Sequence, residues 1–163
     1  MPEDPRVTDA IYRKHAPRVF RRARQLLGND ADAHEVVQDL FLSLFESPAQ
    51  FTERSSLTTF LYAATTNACL TRIRNHKNRF RLAAETLDGA SEGAAAPSPE
   101  QLTYLHRLLC DLPEPLDRVA VYYYLDDLTH EDIAKILGCS RRHVGDLLER
   151  VLEWARAQET KPC

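Results

Sequence analysis

Apolar side chains recur every three or four residues along most of this chain, the spacing that places them on one face of an α-helix. Near the N-terminus the repeat runs through Ile11, His15, Val19, Ala23 and Leu26. A second repeat runs through Val36, Val37, Leu40, Phe41, Leu44 and Phe45, and a third through Leu57, Phe60, Leu61, Ala64, Ala68 and Ile73. We therefore predict an all-α fold.

Local signals predict where the first helices begin and end. Gly28 and Asn29 are typical of a helix C-terminus and end the first helix. Asp32, followed by Glu35, resembles a capping box that opens the second helix, and Pro48 ends it. The ends of both helices are therefore predicted from residues that lie next to them in the sequence.

A third helix is predicted to start at a cap, Ser55 or Ser56, and to run into a basic segment. Residues 86–99 are small and acidic and contain Gly, Pro and Ser, which favours a flexible linker. Helices resume at Glu100, and another helix is predicted over residues 116–125.

We predict two small helical domains joined by that linker. The first domain spans residues 1–83, the linker spans residues 84–99 and the second domain spans residues 100–163.

The formal net charge of −3 conceals a gradient along the chain. Residues 1–83 carry a charge of +4, residues 84–112 carry −4 and residues 113–163 carry −3. Ten residues of the first segment hold five cations and no acid: Arg72, Arg74, Lys77, Arg79 and Arg81. Because phosphate is bound by local patches, this basic segment indicates a nucleic-acid contact.

Several classes of function find no support in the sequence. It has no glycine-rich phosphate loop, no nucleophile elbow and no helical zinc-protease motif, so we predict neither an enzyme nor a cofactor. The four cysteines are widely spaced, and His106 with Cys110 lacks a second ligand pair, so we predict no metal. No apolar run reaches the length of a membrane helix and no secretory signal is visible, so we expect a cytoplasmic protein without membrane insertion.

The C-terminal segment has the spacing of a helix-turn-helix. Thr129 with Asp132 reads as a cap and its partner, and Gly138 stands where the turn needs a left-handed residue. Ser140 caps the second helix, and the candidate contacts to duplex DNA are Ser140 and the residues of the first turn, Arg141, Arg142 and His143. The alternative is an ordinary helical hairpin whose arginines face solvent.

The third helix combines aromatic, amide and cationic side chains. Stacking rings together with a positive track suit a single-stranded nucleic acid. The candidate residues are Phe60, Tyr62, Asn67, Arg72, Arg74, Lys77 and Arg79. The alternative is that the rings belong to the core and the cations to a solvated helix end.

Two ordered sets of motifs stand on either side of the predicted linker. The first comprises residues 32–41 (DAHEVVQDLF) and 60–67 (FLYAATTN), and the second comprises residues 109–113, 128–134 and 137–140. They resemble, in that order, regions two and four of the extracytoplasmic-function (ECF) group of bacterial RNA polymerase sigma factors. The departures at His34, Phe60 and Thr71 leave the expected architecture intact. Those in the recognition helix affect the promoter sequence that would be read more than the activity, and they are His143, Gly145, Asp146 and Leu147.

The resemblance implies a factor that binds core RNA polymerase and directs promoter recognition, strand opening and initiation, for a stress, envelope or metal-response regulon. The helix that docks on polymerase would carry Glu35, Val36, Gln38, Asp39 and Phe41. The third helix would hold the melted strand of the promoter, and the C-terminal helix would read a distal element as duplex. An anti-sigma factor is an expected partner.

The competing interpretation is a helix-turn-helix regulator that binds an operator without joining polymerase. It predicts a dimer on a palindromic site, whereas the sigma interpretation predicts a monomer on an asymmetric promoter. Asp146 and Glu149 follow the arginines of the C-terminal helix and repel phosphate, so the free chain is expected to bind promoters weakly.

Overall fold

The structure is a computed structural model, and it describes residues 5–47, 56–85 and 104–160. Throughout these ranges the regular structure is helical, which confirms the all-α prediction. The helices are α1 (Pro5–Leu27), α2 (Asp30–Glu46), α3 (Leu57–Glu85), α4 (Tyr104–Asp111), α5 (Leu116–Ala120), α6 (His130–Leu137) and α7 (Arg141–Glu159). A π-helical turn, Val121–Leu125, continues α5.

The chain divides into two compact units, Met1–Cys69 and Leu70–Cys163, and the division falls inside α3. The C-terminal part of α3 therefore belongs to the same unit as α4 to α7. The helix itself continues to Glu85, beyond the predicted end of the first domain. The predicted linker lies almost entirely outside the described residues, so the boundaries 1–83, 84–99 and 100–163 stay predictions.

The turn between α1 and α2 differs in one detail from expectation. Gly28 adopts a left-handed φ of 78° and ends α1 as predicted. The cap of α2, however, is Asn29, whose side chain accepts a hydrogen bond from the Asp32 N–H at 2.8 Å and donates one to the Asp32 carboxylate at 2.7 Å. The predicted cap at Asp32 was wrong because the turn after Gly28 already places Asn29 at the start of the helix.

The first unit is held together by apolar side chains from α1, α2 and α3. The buried cluster consists of Ala16, Val19, Val37, Phe41, Leu44 and Leu61. Phe41 lies at its centre, with the Tyr12 ring edge-on at 5.0 Å and the Phe45 ring at 5.9 Å between centroids. The α3 helix joins this core after Ser56, whose hydroxyl accepts a hydrogen bond from the Thr59 N–H at 3.1 Å, one of the two predicted caps.

The second unit packs α5, the π-turn and α6 against α7. Its fully buried side chains include Val119, Tyr122, Ile133 and Val144. In the π-turn the Asp126 N–H donates to the Val121 carbonyl at 3.1 Å, so the predicted helix over residues 116–125 ends with a wider turn. Tyr123 and Tyr124 stay exposed.

Gly138 makes a testable contribution to this unit. Its φ of 67° is left-handed, although a Cβ added there would meet no atom within 4 Å. We therefore expect Gly138→Ala to cost about 1 kcal/mol of unfolding free energy through backbone strain alone. Gly145→Ala is the matched control, because Gly145 is helical and its Cβ would also meet open space. Urea denaturation should show a loss for the first variant and a small gain for the second, and equal effects would contradict the assignment of strain.

In the ranges that the structure describes, no helix is both long and apolar enough to cross a membrane.

Candidate nucleic-acid interfaces

The C-terminal helices form the predicted helix-turn-helix. Thr129 caps α6 by accepting the Asp132 N–H at 3.2 Å and donating to the Asp132 carboxylate at 2.6 Å. Gly138 provides the left-handed residue of the turn, and Ser140 caps α7 by accepting the His143 N–H at 3.1 Å. The residues that α7 buries are Val144, Leu147, Leu148 and Val151.

This packing leaves the first turn of α7 on the surface. Ser140, Arg141, Arg142 and His143 are all exposed, and neither arginine forms an ion pair with a residue that the structure describes. Asp146 and Glu149 are also exposed, further along the helix. The exposed surface of α7 is therefore cationic at the first turn of the helix and acidic further along it.

Tyr62 on α3 is held by a buried cation from α1. The guanidinium of Arg22 lies 4.8 Å from the ring centroid, and its Nη2 donates to the Tyr62 hydroxyl at 3.3 Å. The same guanidinium donates to the Thr66 hydroxyl at 3.2 Å. Tyr62 is half-buried, so part of a side chain that Arg22 holds in place stays accessible.

A cavity of about 110 Å³ lies between α1 and α3 in the first unit. Its lining includes His15, Arg18 and Arg22 from α1 and Thr58, Tyr62 and Thr65 from α3. Burial, followed by the charges of Lys14 and Arg18, lowers the pKa of His15, so this imidazole is neutral near pH 7. The surface of the cavity is mostly apolar, although Arg18 and Arg22 are among the residues that line it.

Sequence reasoning missed the α1 contribution to this cavity. The signal was present, since α1 contains seven Arg and Lys residues against a single Asp. The predicted nucleic-acid contact rests on the five cations after residue 71, although α1 carries the larger net positive charge.

Asn67 presents an unusual buried acceptor. Its Oδ1 is shielded from solvent, and no described residue donates a hydrogen bond to it. A buried amide oxygen without a donor costs free energy, typically about 1–3 kcal/mol. Asn67 lies two turns after Phe60, which packs against the first core, so both are on the same face of α3.

The basic end of α3 is engaged by acids of its own unit. Arg74 contacts the carboxylates of Glu114 and Asp117, and Lys77 contacts that of Asp111. Arg72 is half-buried, and the side chain of Arg79 lies outside the described residues. The seven predicted strand contacts are thus not one free surface.

Asp117 is fully buried at the N-terminus of α5. Burial raises the pKa of its carboxyl, while the Arg118 N–H bond at 2.7 Å and the charge of Arg74 oppose that rise. The Arg74–Asp117 pair is therefore the most desolvated charge contact between α3 and α5.

The predicted polymerase-binding residues of α2 separate into two faces. Val36 and Phe41 are 1% and 2% exposed and belong to the core, so neither side chain is accessible to a partner. Glu35, Gln38 and Asp39 are exposed. Leu42 is 54% exposed on that outer face and was not predicted. Because the apolar spacing of α2 serves the core, its outer face is acidic with one apolar residue.

The side chain of Cys110 contacts the backbone of α3. Its thiol donates to the Ile73 carbonyl at 3.4 Å, and burial raises its pKa. Among the described residues no group of three His, Cys, Asp or Glu side chains is placed to hold a metal ion.

Comparisons with known proteins match both helical regions of the chain. Family models for Sigma-70 region 2 and Sigma-70, region 4 match residues 11–79 and 102–154, together more than half of the chain. The ECF RNA polymerase sigma factor SigE of Mycolicibacterium smegmatis is 34% identical over 80% of this chain. The matched residues span about half of SigE, 52% of its length. SigW of Bacillus subtilis, also an ECF RNA polymerase sigma factor, is 25% identical over 86% of this chain and 82% of its own length.

A solved structure is also similar. It contains the sigma factor RpoE in complex with the anti-sigma factor NepR from Bartonella quintana. It aligns with a TM-score of 0.47 at 17% identity, over 85% of this chain and 87% of that chain.

Proposed function

The chain belongs to the ECF group of RNA polymerase sigma factors, and on that premise we propose that it binds core polymerase and directs it to open and transcribe from specific promoters. Members of this family are initiation factors and not enzymes. The observation that carries the proposal is the exposed start of α7, where Arg141 and Arg142 are free of ion pairs with described residues on a fully formed helix-turn-helix.

Each region receives a task that fits its geometry. The N-terminal turn of α7 enters the major groove of a distal promoter element, where arginine reads guanine edges and phosphates. The α3 helix receives bases of the melted strand, with the fixed ring of Tyr62 as part of its binding surface. The outer face of α2, with Glu35, Gln38, Asp39 and Leu42, docks on a basic and partly apolar surface of polymerase.

Polymerase also compensates for weak contacts with DNA. The acids at Asp146 and Glu149 reduce the affinity of α7 for duplex, but binding to polymerase places both regions at the promoter together. The protein would work in the cytoplasm with polymerase. Control by an anti-sigma factor and the identity of the regulon stay predictions.

The proposal predicts specific transcription in a purified system. With core polymerase and a template holding the region upstream of its own gene, this chain should produce a transcript with one discrete start. Arg141→Ala/Arg142→Ala should reduce that transcript about tenfold or more, because each lost base or phosphate contact is worth about 1–3 kcal/mol. Arg150→Ala/Arg156→Ala is the charge-matched control, since both residues are exposed later on α7, and should keep most of the activity.

Two outcomes would contradict the proposal. If no transcript forms and the chain also fails to retain core polymerase in a pull-down, it is not a sigma factor. A dimer that protects a palindromic site without polymerase would instead establish the operator-binding regulator.

A further inference from the structure

The cavity between α1 and α3 lies within the first unit, and none of the tasks proposed above uses its interior. Its volume is about 110 Å³. An apolar cavity of about 150 Å³ in another protein is large enough to bind benzene. A ligand that enters this smaller cavity therefore has an apolar part of only a few heavy atoms.

The wall of the cavity favours hydrocarbon. Val19 and Leu61 are buried and contribute aliphatic groups to the lining. The Thr65 hydroxyl also lines the cavity, but it already donates a hydrogen bond to the Leu61 carbonyl at 2.6 Å. Apolar groups gain free energy from contact with this wall, whereas a polar group without a partner there loses its hydration.

Two cations of α1 also line the cavity. Arg18 is exposed and forms no ion pair with a residue that the structure describes. Arg22 is only 9% exposed, and hydrogen bonds to the hydroxyls of Tyr62 and Thr66 hold its guanidinium in place. None of the described residues that line the cavity is acidic. The charged groups of the lining are therefore all positive.

His15 indicates the sign of the electrostatic field in the cavity. Its imidazole is 7% exposed, and burial, followed by the charges of Lys14 and Arg18, lowers its pKa. Burial opposes any charge, but the two cations oppose only a positive one. The same field therefore favours a negative charge at this place, and a neutral imidazole can donate one hydrogen bond to it.

From the volume, the apolar wall and the cations we propose that this cavity binds a small carboxylate whose chain has about three to five carbons. The hydrocarbon part packs against Val19 and Leu61. The carboxylate pairs with Arg18, whose planar guanidinium can bind both oxygens. The site is separate from the proposed function, because neither polymerase nor DNA is needed to form it.

The test is a nuclear magnetic resonance titration of the full, isotope-labelled chain with sodium butyrate, without polymerase or DNA. We expect saturable shifts of the methyl signals of Val19 and Leu61, with a Kd on the order of 1 mM for a ligand of this size. The pKa of His15 should rise on binding, because a nearby carboxylate stabilises the protonated imidazole. Sodium chloride at equal concentration controls for ionic strength.

Two further ligands separate the apolar contribution from the charge. Butyramide has nearly the shape of butyrate but no charge, so it should bind about fivefold more weakly or worse and leave the pKa of His15 unchanged. Acetate keeps the charge but lacks two methylene groups, so it should bind about tenfold more weakly.

A matched pair of variants locates the carboxylate. Arg18→Gln should weaken butyrate binding about fivefold or more, because it removes the exposed guanidinium of the lining. Arg21→Gln is the control, since Arg21 is also exposed on α1 but does not line the cavity. It removes the same charge and should change the affinity much less.

Several outcomes would overturn the inference. They are the absence of saturable binding, equal affinities for butyrate and butyramide, and equal losses in Arg18→Gln and Arg21→Gln. If butyrate has no effect but a single-stranded DNA 12-mer shifts the same methyl signals, the cavity belongs to the strand-binding surface instead. Specific transcription by a chain that does not bind butyrate would leave the proposed function intact and remove only this site.

Discussion

Phe41→Ala is expected to destabilise the first unit by about 3–5 kcal/mol, because the ring is 2% exposed and the substitution leaves a cavity between Tyr12 and Phe45. For a unit of this size, 1 kcal/mol corresponds to about 4–8 °C in Tm, so the melting temperature should fall by more than about 12 °C. Thermal unfolding followed by circular dichroism measures this change. Loss of polymerase binding in this variant would follow from unfolding.

Leu42→Asp is the neighbouring control. Leu42 is 54% exposed, so we expect its substitution to change stability by less than about 0.5 kcal/mol. If the outer face of α2 docks on polymerase, the new charge should weaken binding of core polymerase about tenfold or more, which a titration of labelled chain would detect. The opposite pattern, with a stable Phe41→Ala that does not bind and a Leu42→Asp that binds normally, would make Phe41 the docking residue.

Arg74→Met is expected to destabilise the second unit by about 3 kcal/mol at neutral pH. The substitution keeps most of the side-chain volume but leaves the fully buried carboxylate of Asp117 without its guanidinium partner. Removal of one member of a buried pair costs more than the pair contributes, because the remaining charge is uncompensated. Lys77→Met is the control, since the Lys77–Asp111 pair is half-exposed and should cost about 1 kcal/mol or less.

The cost of Arg74→Met should also depend on pH, with a sign that Asp117 determines. Burial raises the pKa of Asp117 and Arg74 opposes that rise, so the variant raises the folded-state pKa further. A carboxyl with a raised folded pKa contributes most stability when protonated and loses it as pH increases from the unfolded value toward the folded one. Urea denaturation from about pH 4 to about pH 8 should therefore show a cost that grows with pH. A cost independent of pH would contradict the assignment to Asp117.

The sequence by itself determined the helices, several of their ends and the helix-turn-helix. Thr129, Gly138 and Ser140 act through hydrogen bonds to residues at most four positions away, so the information that places them is local. Burial of Val144 and Val151 follows from the same short period. Where two local signals competed, at Asn29 and Asp32, spacing alone selected the wrong cap, because the choice depends on where the preceding turn ends.

The tertiary structure alone decided which residues of a motif are available. Val36 and Phe41 belong to a motif that resembles a docking surface, but both side chains are buried in the first unit. Arg22 reaches Tyr62 and Thr66 across about forty positions, and Arg74 reaches Asp117 over a similar separation. The spacing of cations along a helix does not reveal their partners, because an exposed cation and an ion-paired one occur in the same local sequence patterns. Packing between distant segments therefore decides whether a cation such as Arg22 or Arg74 is exposed or bound to other side chains.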